Sequence, residues 1–175
     1  MRGAPTPSEA ELGSLHVDRE TATMVFRRRL SHPPVVVWKA ITDPAELSKW
    51  HLTDASVDGR VGGLVRLNRA TQHFEVTGKV LTWDPPRVFE HEWKVAPGPF
   101  SPVGEDSIIR WELSPDGEGT VLILSHRDLT RRFASVYIAG THAFLDRLEA
   151  QLDERPLPNM GRSAEVRGYY PVWEG

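Results

Sequence analysis

Four side chains of this 175-residue sequence have the types and spacing to do chemistry together. His91 and Trp93 stand two apart in one apolar-alternating stretch, Trp111 lies in a second, and His126 in a third. Residues i and i+2 of a strand share a face. All four fall on the parity that collects Val65, Leu67, Phe74, Val76, Phe89, Ile109, Leu113, Leu122 and Leu124. The opposite parity holds Arg66, Glu75, Glu90, Glu92, Arg110, Glu112 and Ser125. The first set therefore faces a core and the second faces water. Two imidazoles and two indoles among aliphatic side chains match the build of a small-molecule site, mostly apolar with a few polar groups. An imidazole in that setting can also serve as general acid or base. A plainer reading stands beside it. An inward histidine is more often a hydrogen-bonded core residue, and an inward tryptophan is more often packing than a ligand platform.

Other chemistries find little footing. The chain has no cysteine, which excludes disulfides, thiolate metal sites and cysteine nucleophiles. Its seven histidines form no His-x-His or His-Glu-x-x-His pattern, so no metal site and no cofactor are expected. Asp58–Gly63 is glycine-rich but lacks the Lys-Ser/Thr and the helix of a phosphate loop, and reads as a turn. No serine sits in a nucleophile-elbow sequence, and no residue is assigned as catalytic. A formal net charge of −3 gives no reason to expect nucleic acid as a partner. The run Arg27-Arg28-Arg29 reads as a solvated strand edge. No stretch approaches the roughly 18 consecutive apolar residues of a membrane span, so no membrane insertion is expected. The first residues show no basic region leading into an apolar core. A cytoplasmic protein, monomer or homodimer, is the expectation.

The elements that must position these residues follow from periodicity. Residues 1–12 are small and polar with two prolines and read as a disordered tail. Leu15 and Val17 alternate, Asp18-Arg19-Glu20 turns, and Thr23–Leu30 is a firmer strand. Pro33 and Pro34 stop it and open a helix carrying Val36, Val37, Ala40 and Ile41. Asp43 can cap a second short helix that ends near Trp50. Extended segments then follow at Ala55–Val57, Leu64–Arg69, His73–Thr82, Arg87–Val95, Ser107–Ser114 and Thr120–Arg127, with a hairpin signal at Pro115–Gly119. From about Leu129 the period becomes helical. Phe133, Val136, Tyr137, Gly140, Phe144, Leu148 and Leu152 share one face of a helix about 20 residues long, ended by Pro156 and Pro158. Tyr169, Tyr170 and Trp173 are too aromatic for a solvated tail, and residues 156–175 read as an extension packing on the domain. Short connections favour an antiparallel sheet, and one amphipathic helix laid across it covers its apolar side. The expected fold class is α+β, a helix-grip arrangement. In it a curved antiparallel sheet wraps around a long C-terminal helix, with two short helices after the first strand region.

Phe26–Leu30 with His32-Pro33-Pro34, Val37-Trp38, Ala40-Ile41-Thr42, Asp43-Pro44 and Leu47 to Trp50 form an ordered pattern. It continues through Val61-Gly62-Gly63, Gly78–Leu81, Asp84–Arg87, Arg110–Leu113, Gly119-Thr120, Leu122 to His126, and Ala139-Gly140 with His142 and Leu145. In this order the chain resembles the START-like, or SRPBCC, superfamily, and within it the AHSA-type group related to the activator of heat-shock-protein ATPase. The resemblance runs from about Gly13 to Leu152, and the domain is placed at residues 13–155. Thr141 departs from it, since bacterial members often carry Trp after the helix glycine.

The resemblance implies a cavity between sheet and C-terminal helix that binds a small hydrophobic or aromatic molecule. The residues expected to line it are Trp50, Phe74, His91, Trp93, Trp111, Leu124, His126, Tyr137, Gly140 and Phe144, with His51 beside Trp50 near the ligand. Gly140 reads either as space for that ligand or as close helix–sheet packing. Two alternatives remain open. One is a cyclase- or aromatase-like enzyme using His91 or His126. The other is a protein-interaction module, as the ATPase-activator relationship implies.

Overall fold

The fold was analysed in a computed structural model, which describes residues 5–69, 73–99 and 101–171. Eight strands form one antiparallel sheet: β1 (Ser14–Val17), β2 (Thr21–Leu30), β3 (Asp54–Val57), β4 (Leu64–Arg69), β5 (Phe74–Asp84), β6 (Val88–Val95), β7 (Glu105–Asp116) and β8 (Gly119–Thr130). Their spatial order is β1-β2-β8-β7-β6-β5-β4-β3, so β1 and β3 are the edges. The sequence between β2 and β3 therefore crosses the breadth of the sheet. It does so as two helices, α1 (Pro34–Thr42) and α2 (Pro44–Trp50). The long helix α3 (Ala134–Leu152) lies against the apolar face, and a short α4 (Arg162–Val166) follows it. This is the expected helix-grip α+β fold.

Local chemistry explains the α1–α2 pair. Pro34 opens α1, where its missing N–H costs nothing. Asp43 ends α1 and caps α2, its carboxylate accepting from Ala45 N at 2.9 Å and Glu46 N at 3.3 Å. The Trp50 indole N–H donates to the Ala40 carbonyl at 2.8 Å, tying the C-terminus of α2 to the last turn of α1. Arg147 of α3 then donates to the carbonyls of Lys49, Trp50 and Pro158, so the C-terminus of α2 is fastened to the long helix.

Inward strand parity holds along β4 to β8, where the apolar set is buried or half-buried. Two outward assignments need correction. Glu90 is buried, because Arg127 at 2.7 Å, Arg110 at 3.5 Å and Thr82 fold over its carboxylate. In the arginine run Arg27 and Arg29 are exposed as expected, but Arg28 is buried on the inner side of β2, paired to Asp146 at 3.1 Å and Glu149 at 2.9 Å of α3.

The C-terminal helix starts later than periodicity predicts. Leu129 and Thr130 stay in β8, paired with Ala22 and Thr21, and the Glu105 carboxylate accepts from the Thr130 amide and hydroxyl. A 3-10 turn, Arg131–Phe133, precedes the helix. Its fully buried residues include Ile138, His142, Leu145 and Leu148, while Val136 is half exposed. The helix is gripped on two flanks. One faces the sheet and the other is covered by the tail, where the Tyr170 hydroxyl bonds to His142 Nδ1 at 2.6 Å and accepts from Gly13 N at 3.1 Å. Arg162 of α4 adds an ion pair to Asp146 at 2.8 Å. Trp173 lies outside the described residues. So do residues 1–4 of the N-terminal segment, in which Glu9–Glu11 form a 3-10 turn and Pro7 is buried.

Candidate functional site

Between α3 and the sheet lies a cavity of about 280 Å³. Its sheet side is made by Arg69 at the end of β4, Phe74 at the start of β5, Trp93 of β6, Ile109 of β7 and His126 of β8, with Ser101 from the loop between β6 and β7. Its helix side is made by Phe133, Val136, Tyr137, Gly140, Thr141 and Phe144. The strand residues reach it because inward parity points them at the helix, and the helix residues because Tyr137, Gly140, Thr141 and Phe144 follow a 3–4 spacing. Half-exposed Val136 marks the side on which the cavity meets solvent. A cavity of about 150 Å³ accommodates benzene, so this one has room for a substituted or bicyclic ring.

Gly140 makes much of that room. Among the described residues, no atom apart from its chain neighbours and the adjoining helix backbone lies within 4 Å of where its Cβ would stand. Close helix–sheet packing therefore does not explain the glycine. Thr141, the departure from the resembled pattern, lines the same wall.

Of the ten residues expected at the site, Phe74, Trp93, His126, Tyr137, Gly140 and Phe144 line this cavity. Trp50, His91 and Trp111 do not. They surround a separate space of only about 20 Å³ deeper toward α1 and α2, together with His51 and Phe89. That volume holds about one water, so these side chains are packing. Trp50 stands edge-on to Trp111 at 6.3 Å and to Phe144 at 6.4 Å, with 1% of its surface exposed. His51 stacks behind Phe144 at 4.5 Å rather than meeting the cavity. Leu124 is core, paired across strands with Phe26 and Trp111.

The histidines and Tyr137 are held neutral. His126 Nε2 is 2.8 Å from the Ser107 hydroxyl, and its ring meets Trp93 and Tyr137 edge-on. Burial, with His91 nearby, pushes its pKa down to about 3. His91 donates from Nδ1 to the Glu92 carbonyl at 2.7 Å, and burial pushes it down to about 4. His51 lies well below its ordinary value through burial and the charges of Arg69, His91 and Arg147. Burial raises Tyr137 to about 12. Among the described residues no group of carboxylates and histidines could hold a metal ion.

Arg69 is the functional candidate that the sequence reading missed. It continues the inward parity of Val65 and Leu67 by one more step, which is the signal that could have found it. Its guanidinium lies over the Phe144 ring at 4.4 Å and near Phe74 at 5.8 Å, a cation–π arrangement. Ser101, Ile109, Phe133, Val136 and Thr141 also line the cavity without having been placed among the expected site residues.

With this geometry in hand, comparison with known proteins is informative. Residues 31–153, more than half of the chain, match the family described as Activator of Hsp90 ATPase homolog 1-like protein. Among solved structures, CalU16 from Micromonospora echinospora is 28% identical, covering 85% of this chain and 85% of that one, with a TM-score of 0.67. Protein MLL2253 from Mesorhizobium loti is 26% identical over 77% of this chain and 99% of that one, with a TM-score of 0.68. DynU16, a protein in the dynemicin biosynthetic locus, shares the fold at 21% identity. It aligns over 79% of this chain and 50% of its own, with a TM-score of 0.66. No curated protein matches the chain significantly. Among the described residues no helix is long and apolar enough to cross a membrane.

Proposed function

We propose that this chain, which belongs to the family of Activator of Hsp90 ATPase homolog 1-like proteins, binds a small aromatic molecule between α3 and the sheet. The observation that carries the reading is the cavity of about 280 Å³ walled by aromatic and aliphatic side chains, with a helix glycine leaving room in it. Sites for small molecules are concave, apolar and equipped with a few polar groups. Phe74, Trp93, Tyr137 and Phe144 offer ring faces and edges on several sides, which suits a planar guest.

Binding is favoured over catalysis by the state of the histidines. A general base works best with a pKa near the working pH. His126 at about 3 is far from that, and its Nε2 is committed to Ser107. His91 does not line the cavity. The ATPase-activator relationship points to a protein partner, but the apolar recess rather than an outer surface is the feature this chain displays.

Isothermal titration with 2-naphthamide, a neutral bicyclic probe, tests the reading. Saturable one-site binding by the natural chain, abolished in folded Gly140→Leu, is the expected result. No saturable binding, or equal binding by Gly140→Leu, would overturn it.

A further inference from the structure

Arg69 is in an unusual position for an arginine. It is largely buried at the cavity wall, and among the described residues no carboxylate pairs with it. The guanidinium makes one conventional contact, from Nη2 to the His51 carbonyl at 3.2 Å. Its Nε–H is shielded from solvent and has no hydrogen-bond partner among the described residues. A buried donor left unmade is costly, and such groups in native structures call for a reason.

One reason would be helix capping. His51 closes α2, whose C-terminal carbonyls carry about half a unit of negative charge. Arg147 already meets this need, donating to the carbonyls of Lys49 and Trp50 and to Pro158. The two cations lie close enough that Arg147, together with burial, lowers the Arg69 pKa to about 10. Arg69 stays charged at neutral pH all the same. The end of α2 thus holds two full positive charges against a fractional negative one. His51, buried between them, is neutral. Of these two cations, Arg69 faces the aromatic cavity.

A second polar atom points the same way. Ser101 lines the cavity, and its buried hydroxyl oxygen has no hydrogen-bond partner among the described residues. A guanidinium and a hydroxyl, both able to donate, are thus set in a mostly apolar wall, which also carries His126, Tyr137, Thr141 and the buried indole N–H of Trp93. An anionic oxygen is the natural partner of an arginine fork, and a serine hydroxyl donates to it as well.

We infer that the cavity selects an aromatic carboxylate, its ring system among Phe74, Trp93, Tyr137 and Phe144 and its anionic group received by Arg69, with Ser101 adding a hydrogen bond. This rests on the proposed small-molecule binding and names the chemistry of that ligand. The charge lies where water is largely excluded, so the preference for the anion is strong at moderate salt. Arg69 then recognises charge, and the rings recognise shape.

The test compares two probes that differ only at the polar group, 2-naphthoate and 2-naphthamide, by isothermal titration. The natural chain is expected to bind the carboxylate about tenfold tighter or more, as a charged hydrogen bond requires. In Arg69→Met, which keeps the apolar stem, the ratio of the two affinities falls to about one. In Arg69→Lys part of the preference returns. Circular dichroism confirms that both variants fold. Equal affinity of the two probes for the natural chain, or a carboxylate preference that survives Arg69→Met, would overturn the anion assignment and leave binding itself intact. Failure of both probes to bind would overturn the binding proposal, and this inference with it.

Discussion

Replacing Gly140 by alanine is expected to make the protein more stable, which few buried substitutions do. The residue sits in the middle of α3, where glycine costs about 1 kcal/mol relative to alanine. Among the described residues, a Cβ at this position meets no atom within 4 Å beyond its chain neighbours and the adjoining helix backbone, so neither a clash nor strain offsets that gain. Part of it comes from the unfolded chain, which loses conformational freedom when glycine is removed. For a domain of this size a gain of about 1 kcal/mol raises Tm by about 2–4 °C. Urea denaturation at pH 7, followed by circular dichroism, reads the change as a higher midpoint at unchanged slope. Gly140→Leu extends the argument. Its side chain enters the cavity, so stability is kept or raised while affinity for 2-naphthamide is lost. A glycine that leaves room for a ligand is thus a site where stability and binding trade against each other. Destabilisation of Gly140→Ala by 1 kcal/mol or more would refute the reasoning, since it would place an atom where the cavity should be.

Three further outcomes follow from the structure. His51, His91 and His126 are buried with pKa values depressed below the ordinary 6.5, so the unfolded chain takes up protons first as the pH falls. Stability is full above about pH 6.5 and declines toward pH 4, by roughly 2–4 kcal/mol between pH 7 and 5.5. A flat urea midpoint over that range would contradict the buried neutral state. Asp146→Ala strips a partner from Arg28 and Arg162 and leaves buried charge uncompensated, costing about 3–5 kcal/mol by the same denaturation assay. A loss under 1 kcal/mol would mean that Glu149 and Glu165 suffice. Tyr170→Phe removes the hydroxyl between His142 and Gly13, at a cost of about 1–3 kcal/mol, with faster amide exchange at Gly13 in NMR.

Much of the fold was legible because strand parity and helical period are local signals. Asp43 as a cap, Pro34 at a helix start and the inward set of β4 to β8 needed no distant information. What failed was long-range. Arg28 reads as solvated until Asp146 and Glu149, more than a hundred residues away, are seen to pair with it. Glu90 lies on the expected side of its strand, yet parity cannot tell that arginines from two neighbouring strands close over it. Leu129 looks helical in isolation, but pairing with Ala22 keeps it in the sheet.

The site was legible to the same degree. Parity fixes the face a residue occupies and not its height along the strand. His91 and Trp93 are two residues apart on one face of β6, but only Trp93 reaches the cavity while His91 packs in the deeper core. Trp50 is among the residues expected to line the site, yet its indole N–H is spent on joining α2 to α1. Ser101 carries no periodic signal at all, since a loop places it. The α1–α2 pair supports the site. It fastens α3 through Arg147 and presents the carbonyl that orients Arg69.

The most direct test of the central claim is where a guest binds. In a ¹H–¹⁵N NMR titration with 2-naphthoate, the account predicts shifts concentrated at Gly140, Thr141, Phe144 and the Trp93 indole N–H, saturating with a single dissociation constant. Shifts confined to the outer groove formed by Val36, Lys39 and Gln151, or scattered without saturation, would contradict a binding cavity between α3 and the sheet.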